Sequence, residues 1–160
     1  MDAGSELVAA TNNKHKIREL ARLFPDRRLL APADLGVSFD YEEEGTSYLD
    51  NALGKARKLY GLIRRPVLAD DSGLEVAALG GEPGIFSSRY GSIVGQARLT
   101  DRERCTLLLA RTEQLEDRRC FFVCCMVALF DEKRFVAAQE TFPGVLAREP
   151  RGTGGFGYDP

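Results

Sequence analysis

Three short clusters hold the polar side chains best suited to phosphate chemistry. Thr11, Asn12, Asn13 and Lys16 lie between an apolar run, Glu6 to Thr11, and an amphipathic stretch that begins at Lys14. A strand-to-helix junction exposes unpaired backbone N–H groups at the positive end of the helix dipole, which suits a phosphate. Lys16 in the first helical turn adds charge, while the asparagines can equally be plain helix caps beside a solvated lysine. The glycines of a G-x-x-x-x-G-K-[ST] loop are missing, so this is no Walker site.

Glu42, Glu43 and Glu44 precede Gly45 and by themselves read as a solvated acidic turn. Asp70 and Asp71 end an apolar run, Val67 to Ala69, and lead into Ser72-Gly73. Ligands of open α/β sheets sit outside the carboxyl ends of strands. Carboxylates placed there suit Mg²⁺, which takes a few carboxylate oxygens and fills its shell with water and substrate phosphate. Adjacent strand residues point to opposite faces, so Asp70 and Asp71 are expected to play different roles. The stretch GTGGFGYD, Gly152 to Asp159, combines flexible backbone with two aromatic rings. Phe156 there suits stacking on a nucleobase, or the segment is a glycine-rich turn before another strand. His15 is the only histidine and reads as an exposed helix-start residue. With one histidine and no nucleophile elbow, a serine or cysteine hydrolase triad has little support.

The elements that must position these groups alternate between strand-like and helical runs, which favours an α/β architecture. Ile17, Leu20, Ala21 and Phe24 recur at the helical period over Lys14 to Phe24, and Pro25 stops them. A second helix spans Ser47 to Ile63, with Ser47 and Asp50 as a capping pair. Its apolar stripe is Leu49, Ala52, Leu53, Ala56, Tyr60 and Ile63, which predicts that Asn51, Lys55 and Lys58 face away from the core. Val67 to Ala69 and Leu74 to Leu79 read as two short strands, the second ended by Gly80 and Gly81. Thr100 and Glu103 form a capping box opening a third helix that turns Cys105, Leu108 and Leu109 inward. Cys120 to Phe130 and Arg134 to Phe142 flank Asp131-Glu132-Lys133 as a hairpin.

Composition narrows the classes further. The 160 residues suit one domain on the prior of about 150 per domain. Lys and Arg number 22 against 24 Asp and Glu, which gives no electrostatic case for nucleic acid or an anionic membrane. The longest apolar run, Cys120 to Phe130, falls short of the roughly 20 residues of a spanning helix. The stretch MDAGSELVAATNNK lacks the basic flank and apolar core of an export signal. Cys105, Cys120, Cys124 and Cys125 contain no C-x-x-C pair and read as reduced packing residues, so a cytoplasmic location is expected.

Singly these signals are weak, but their order is specific. TNNKHK, EEEG followed by DNALGKA, ADDSG, PGIFSSRYG and PGVLAREPRGTGGFGYDP together resemble the inosine triphosphate pyrophosphatase family, or XTP/dITP diphosphatases. The likeness runs from about Leu7 to Pro160, and ADDSGL and GTGGFGYDP are its most specific parts. It implies a two-lobed mixed β-sheet with flanking helices and a central nucleotide cleft, forming one domain over residues 1–160. It also implies a homodimer and a Mg²⁺-dependent hydrolysis of ITP, dITP and XTP to the monophosphate and pyrophosphate, which clears such purine nucleotides from the pool.

Residue by residue, the resemblance carries over as follows. Thr11, Asn12, Asn13 and Lys16 match the triphosphate-binding loop, and Lys55 a phosphate-facing lysine. Glu43 and Asp70 match the metal site, and Asp71 both the metal site and the proton acceptor. Ser72 matches a substrate-contacting serine, and Phe156, Gly157, Tyr158 and Asp159 the nucleotide-binding segment. The chain departs from the pattern at Pro160, short of the family's further strand, lysine, Ser-His-Arg segment and closing helix. The expectation is therefore a form with its catalytic centre and without its base-reading tail. A catalytically impaired nucleotide-binding fragment is the alternative. A haloacid-dehalogenase-like phosphatase is disfavoured, because the first strand ends in Thr-Asn-Asn rather than Asp-x-Asp.

Overall fold

β1 (Glu6–Ala9) is short, and its last two residues, Val8 and Ala9, are buried. It runs parallel to β2 (Arg28–Leu30), pairing Val8 with Leu30, and parallel to β3 (Val67–Val76), pairing Val8 with Val67. α1 (Lys14–Leu23) makes the crossover from β1 to β2. The computed structural model describes residues 6–93 and 95–160. The first five residues, part of the stretch read for an export signal, lie outside them.

The sheet has five strands in the order β2-β1-β3-β4-β5, with β4 (Arg119–Leu129) and β5 (Phe135–Val145) as its last pair. Two parallel ladders and a hairpin make it a mixed sheet. The hairpin forms where the sequence predicts it, its ends shifted by a few residues. Phe130 N–H donates to the Arg134 carbonyl at 2.9 Å, and Asp131 Oδ1 accepts from the N–H groups of Lys133 and Arg134 at 2.9 Å each. These backbone bonds to Lys133, with the Arg134 guanidinium, hold the Asp131 pKa down at about 2. A carboxylate depressed on folding stabilises above its unfolded pKa of about 3.9 and loses that contribution as pH falls through its folded value. Asp131→Ala is therefore expected to lower Tm at neutral pH. Melting curves in a pH series should show the gap to the parent closing between about pH 4 and about pH 2.

The chain divides into two compact units. The first comprises residues 1–71 and 125–139 and contains β1, α1, β2 and α2 (Tyr48–Ile63). Its core is built from Val8, Leu20, Leu30, Phe39, Ala52, Ala56, Leu59, Val67 and Val127. Leu59 is fully buried, which stabilises by about 1.5–3 kcal/mol relative to exposure. The second unit comprises residues 72–124 and 140–160 and contains α3 (Asp101–Arg111). Thr100 and Glu103 form the expected capping box at its start, and Leu108 packs with Leu74, Val76, Tyr90 and Cys120. Among the described residues, no helix is long and apolar enough to cross a membrane.

Two sequence expectations fail. The expected strands at Val67 to Ala69 and Leu74 to Leu79 are one ten-residue strand that continues through Asp70-Asp71-Ser72-Gly73, with Ala77–Leu79 in a 3-10 turn closed by Gly80. Asp70 and Asp71 thus stand mid-strand and not at a carboxyl end. Asp-Asp-Ser-Gly reads as turn chemistry, but lysines neutralise both carboxylates and the strand passes through them. The second failure concerns α2. Its buried residues are Tyr48, Asn51, Ala52, Lys55, Ala56 and Leu59, a face rotated by roughly a quarter turn from the apolar stripe. Leu49 is exposed, whereas Asn51 and Lys55, expected outside, are 0% and 8% exposed; only Lys58 lies outside as predicted. Both buried polar side chains find partners, and that compensation is invisible to a hydrophobic period.

Candidate functional site

Asn13 caps α1, its side-chain oxygen accepting from His15 N–H at 2.8 Å. Thr11 Oγ1 accepts from Asn13 N–H at 3.1 Å, and Asn12 Nδ2 donates to the Phe39 carbonyl at 2.6 Å. The two asparagines therefore divide the work: one ends the helix and the other ties the junction to residue 39. Lys16, in the first turn, reaches Asp70 Oδ2 at 2.5 Å. His15 is exposed, as expected, with Arg18 beside its ring at 2.9 Å.

Asp71 faces the other way, as strand alternation requires. Lys55 Nζ lies 3.1 Å from Asp71 Oδ1 and 2.9 Å from Glu43 Oε1, so one ammonium serves two carboxylates. Burial pulls the Lys55 pKa down, and the charges of Asp71 and Glu43 more than reverse this, leaving it raised. Burial pushes the Asp71 carboxyl above the ordinary carboxylate range; Lys55 opposes the shift and Glu43 adds to it. The adjoining Cys125 thiol is also pushed up, by burial first and then by Asp71 and Asp70, so it stays protonated as a packing residue.

The acidic segment reaches this centre by a local device. Exposure alternates from Phe39 to Gly45, with Tyr41, Glu43 and Gly45 turned inward and Glu42 and Glu44 outward. The inward residues descend along α2. A Cβ at Gly54 would lie 1.9 Å from the Tyr41 hydroxyl oxygen, so only glycine admits that ring against the helix. Glu43 then meets Lys55, and Gly45 N–H donates to Asn51 Oδ1 at 2.9 Å. Asn51 Nδ2 donates in turn to Asp71 Oδ2 at 3.0 Å. Sequence reasoning placed Asn51 on the wet face of α2. The available signal was a poor helix former inside the first turn, past the cap position that would account for it.

A magnesium ion is implied by the family resemblance, and the donor set suits one. Glu43 and Asp71 already converge on a single positive charge, and Mg²⁺ asks for one or two carboxylates with water and phosphate completing its shell. Asp70 points to Lys16 instead, and among the described residues no three His, Cys, Asp or Glu side chains gather as a ready metal cage.

The remaining predicted residues belong to the second unit. Ser72 is half-buried in β3. The 156–159 segment is a tight turn in which Phe156 N–H donates to Asp159 Oδ2 at 2.9 Å and Asp159 N–H to the Phe156 carbonyl at 3.2 Å. Gly155 has φ of 76°, and a Cβ there would lie 2.1 Å from Asp159 Oδ2, so the turn demands glycine. Gly157 N–H donates to Asp101 Oδ2 at 2.7 Å and its carbonyl accepts from Cys105 Sγ at 3.3 Å, docking the turn on the start of α3. Tyr158 donates its hydroxyl to the Ser87 carbonyl at 3.1 Å, and burial pushes its pKa up. Its phenol anchors the segment, while Phe156 is half-buried and Asp159 exposed.

The Ham1 family model matches residues 7–160. The chain belongs to the Ham1 family. A Treponema denticola protein named dITP/XTP pyrophosphatase is 44% identical over 155 residues, which cover 97% of this chain and 79% of that protein. A Thermus thermophilus protein of the same name is 45% identical over 161 residues, covering 98% and 75%. The solved structure of a Ham1 protein from Coxiella burnetii superposes with a TM-score of 0.84 at 37% identity, covering 97% of this chain and 79% of that one. The Ham1 relationship thus extends over both units, from the α1 junction to the 156–159 turn.

Proposed function

We propose that this Ham1 chain is a hydrolase that splits the α–β phosphoanhydride of deaminated purine nucleoside triphosphates, ITP, dITP and XTP, releasing the monophosphate and pyrophosphate. The observation that carries the reading is the convergence of Glu43 and Asp71 on Lys55, with Lys16 of α1 on the adjacent Asp70, in a chain whose relatives bear the name dITP/XTP pyrophosphatase.

Attack at the α-phosphorus needs a water lined up opposite the pyrophosphate, and catalysis is mostly positioning and charge neutralisation. Glu43 and Asp71 would hold the magnesium ion, with Asp70 of the implied metal set turned to Lys16 beside them; when bound, the ion neutralises phosphate oxygens and lowers the pKa of a water. Asp71 accepts the proton of the attacking water; burial, which already favours its protonated form, suits it to that task. Lys16 and Lys55 offset charge on the triphosphate, and Thr11, Asn12 and Asn13 present the α1 N-terminus to it. Ser72, Phe156, Gly157, Tyr158 and Asp159 are the proposed nucleotide contacts of the second unit, with Phe156 stacking on the base. Action as a cytoplasmic homodimer belongs to the same proposal, and sedimentation equilibrium tests the dimer.

The test is pyrophosphate release from dITP, XTP, GTP and dTTP, with Mg²⁺ and with chelator. Rapid, chelator-sensitive release from dITP and XTP is expected. No release from dITP overturns the reading. If dITP then still raises the melting temperature, the chain is a nucleotide-binding module without catalysis.

A further inference from the structure

We propose that Asn51 is a positioning residue for this reaction, setting the separation of the Glu43 and Asp71 carboxylates by holding the acidic segment with one end of its amide and Asp71 with the other. The inference rests on the pyrophosphatase reading above and names how its two carboxylates are kept on one cation.

The amide is 0% exposed and its orientation is forced by its neighbours. Gly45 N–H can only donate, so Oδ1 must face it; an ionised Asp71 can only accept, so Nδ2 must face that. An aspartate at 51 would set a second carboxylate oxygen against Asp71. A leucine would leave a buried N–H and a carboxylate oxygen without their partner. Of the side chains of this size, only a carboxamide serves both contacts. The spacing is equally local: Glu43, Gly45, Asn51 and Lys55 lie within thirteen residues. The loop's end and the helix therefore meet without help from distant elements.

Gly45 shows how close that meeting is. A Cβ there would lie 2.6 Å from Asn51 Oδ1 and 2.7 Å from Asp50 Cβ, so the loop backbone sits directly on the amide. Tyr41 against Gly54 fixes the other end of the segment. Between these anchors, Glu43 has little freedom to leave Lys55. The proton traffic of the reaction does not pass through Asn51, which acts only through the groups it holds. Groups of this kind, bonded behind a metal-ligating carboxylate, typically matter by 10–100-fold.

Two variants separate its two bonds. Asn51→Asp keeps an acceptor for Gly45 N–H and loses the donor to Asp71. It is expected to lower kcat for dITP by about 10–100-fold and to raise the Mg²⁺ needed for half-maximal rate by a similar factor. KM for dITP should stay within about threefold, and Gly45 amide exchange should be unchanged. Asn51→Ala loses both bonds, so Gly45 exchange should also rise, by about tenfold or more. A residue that merely supported the fold would shift Tm without this split between kcat and KM. The proposal is overturned if Asn51→Asp, melting as one cooperative transition, keeps kcat within about threefold of the parent. It is overturned equally if Gly45 exchange in Asn51→Ala matches the parent. Should Asn51→Ala fail to fold, the isosteric Asn51→Asp decides alone. A parent that releases no pyrophosphate refutes the pyrophosphatase reading instead, and Gly45 exchange, measured without metal or substrate, still decides whether Asn51 holds the loop.

Discussion

Asp71→Asn is expected to lower pyrophosphate release from dITP by about 10²- to 10⁴-fold, the range for loss of a positioned general base, while shifting the melting temperature little. The two halves of this expectation come from the same surroundings. The carboxylate has 6% of its side chain exposed, faces Lys55 and Asn51, and is pushed by burial toward taking up a proton. An asparagine keeps the shape and offers its single amide oxygen to only one of the two donors, Lys55 Nζ and Asn51 Nδ2; it can neither accept a proton near neutral pH nor neutralise a cation. On the stability side, a carboxyl whose pKa is raised on folding costs stability once the pH exceeds its unfolded value, because the folded state holds the proton more tightly. Removing it relieves that cost. Against this, Lys55 loses one of two partners and keeps Glu43 at 2.9 Å. The two terms oppose each other, so calorimetry at neutral pH should find the variant close to the parent. A variant that turned over dITP at the parental rate would remove Asp71 from the chemistry, and a collapse of the melting transition would assign the lost activity to unfolding.

What was legible in the sequence was what short-range chemistry decides. Asn13 before α1, Ser47 before α2, Thr100 with Glu103 before α3 and Asp131 in the hairpin turn all act within four residues, and each is found where its type suggests. Opposite faces for Asp70 and Asp71 also follow from backbone geometry alone. The failures share one cause. The apolar stripe of α2 could not register that Asn51 and Lys55 are buried, because their burial depends on Asp71 and Glu43, which come from other segments. The break read into β3 has the same origin, since the turn-like Asp-Asp pair is tolerated in mid-strand only with Lys16 and Lys55 opposite. Composition could not choose among Glu42, Glu43 and Glu44 either. The choice appears once the alternation from Phe39 to Gly45 is visible, and it turns Glu43 inward. Sequence reasoning thus failed where charges are buried together, which is where the candidate chemistry lies.

Lys55→Met is expected to be the most damaging single change to the fold at this centre, costing about 3–5 kcal/mol, the range for stripping one partner from a buried ion pair. Methionine fills most of the lysine's volume, so packing is nearly kept and the cost is electrostatic. Asp71 would be left buried with only the Asn51 amide, and Glu43, 20% exposed along its side chain, would stand near it as a like charge. Three measurements identify that origin. In an Asp71→Asn background the same substitution should cost less, with a coupling of about 1–3 kcal/mol in a double-mutant cycle. The deficit should shrink as the pH is lowered from neutral, because loss of the lysine raises the Asp71 pKa further and protonation removes the unpaired charge. Millimolar Mg²⁺ should raise Tm more in Lys55→Met than in the parent, since the two carboxylates that shared an ammonium are free to share a divalent cation. Equal Mg²⁺ shifts in both proteins would mean that Glu43 and Asp71 are not the metal's carboxylates. A deficit unchanged in the Asp71→Asn background would mean that Lys55 acts through packing, and the single cation at the heart of this centre would lose its structural role.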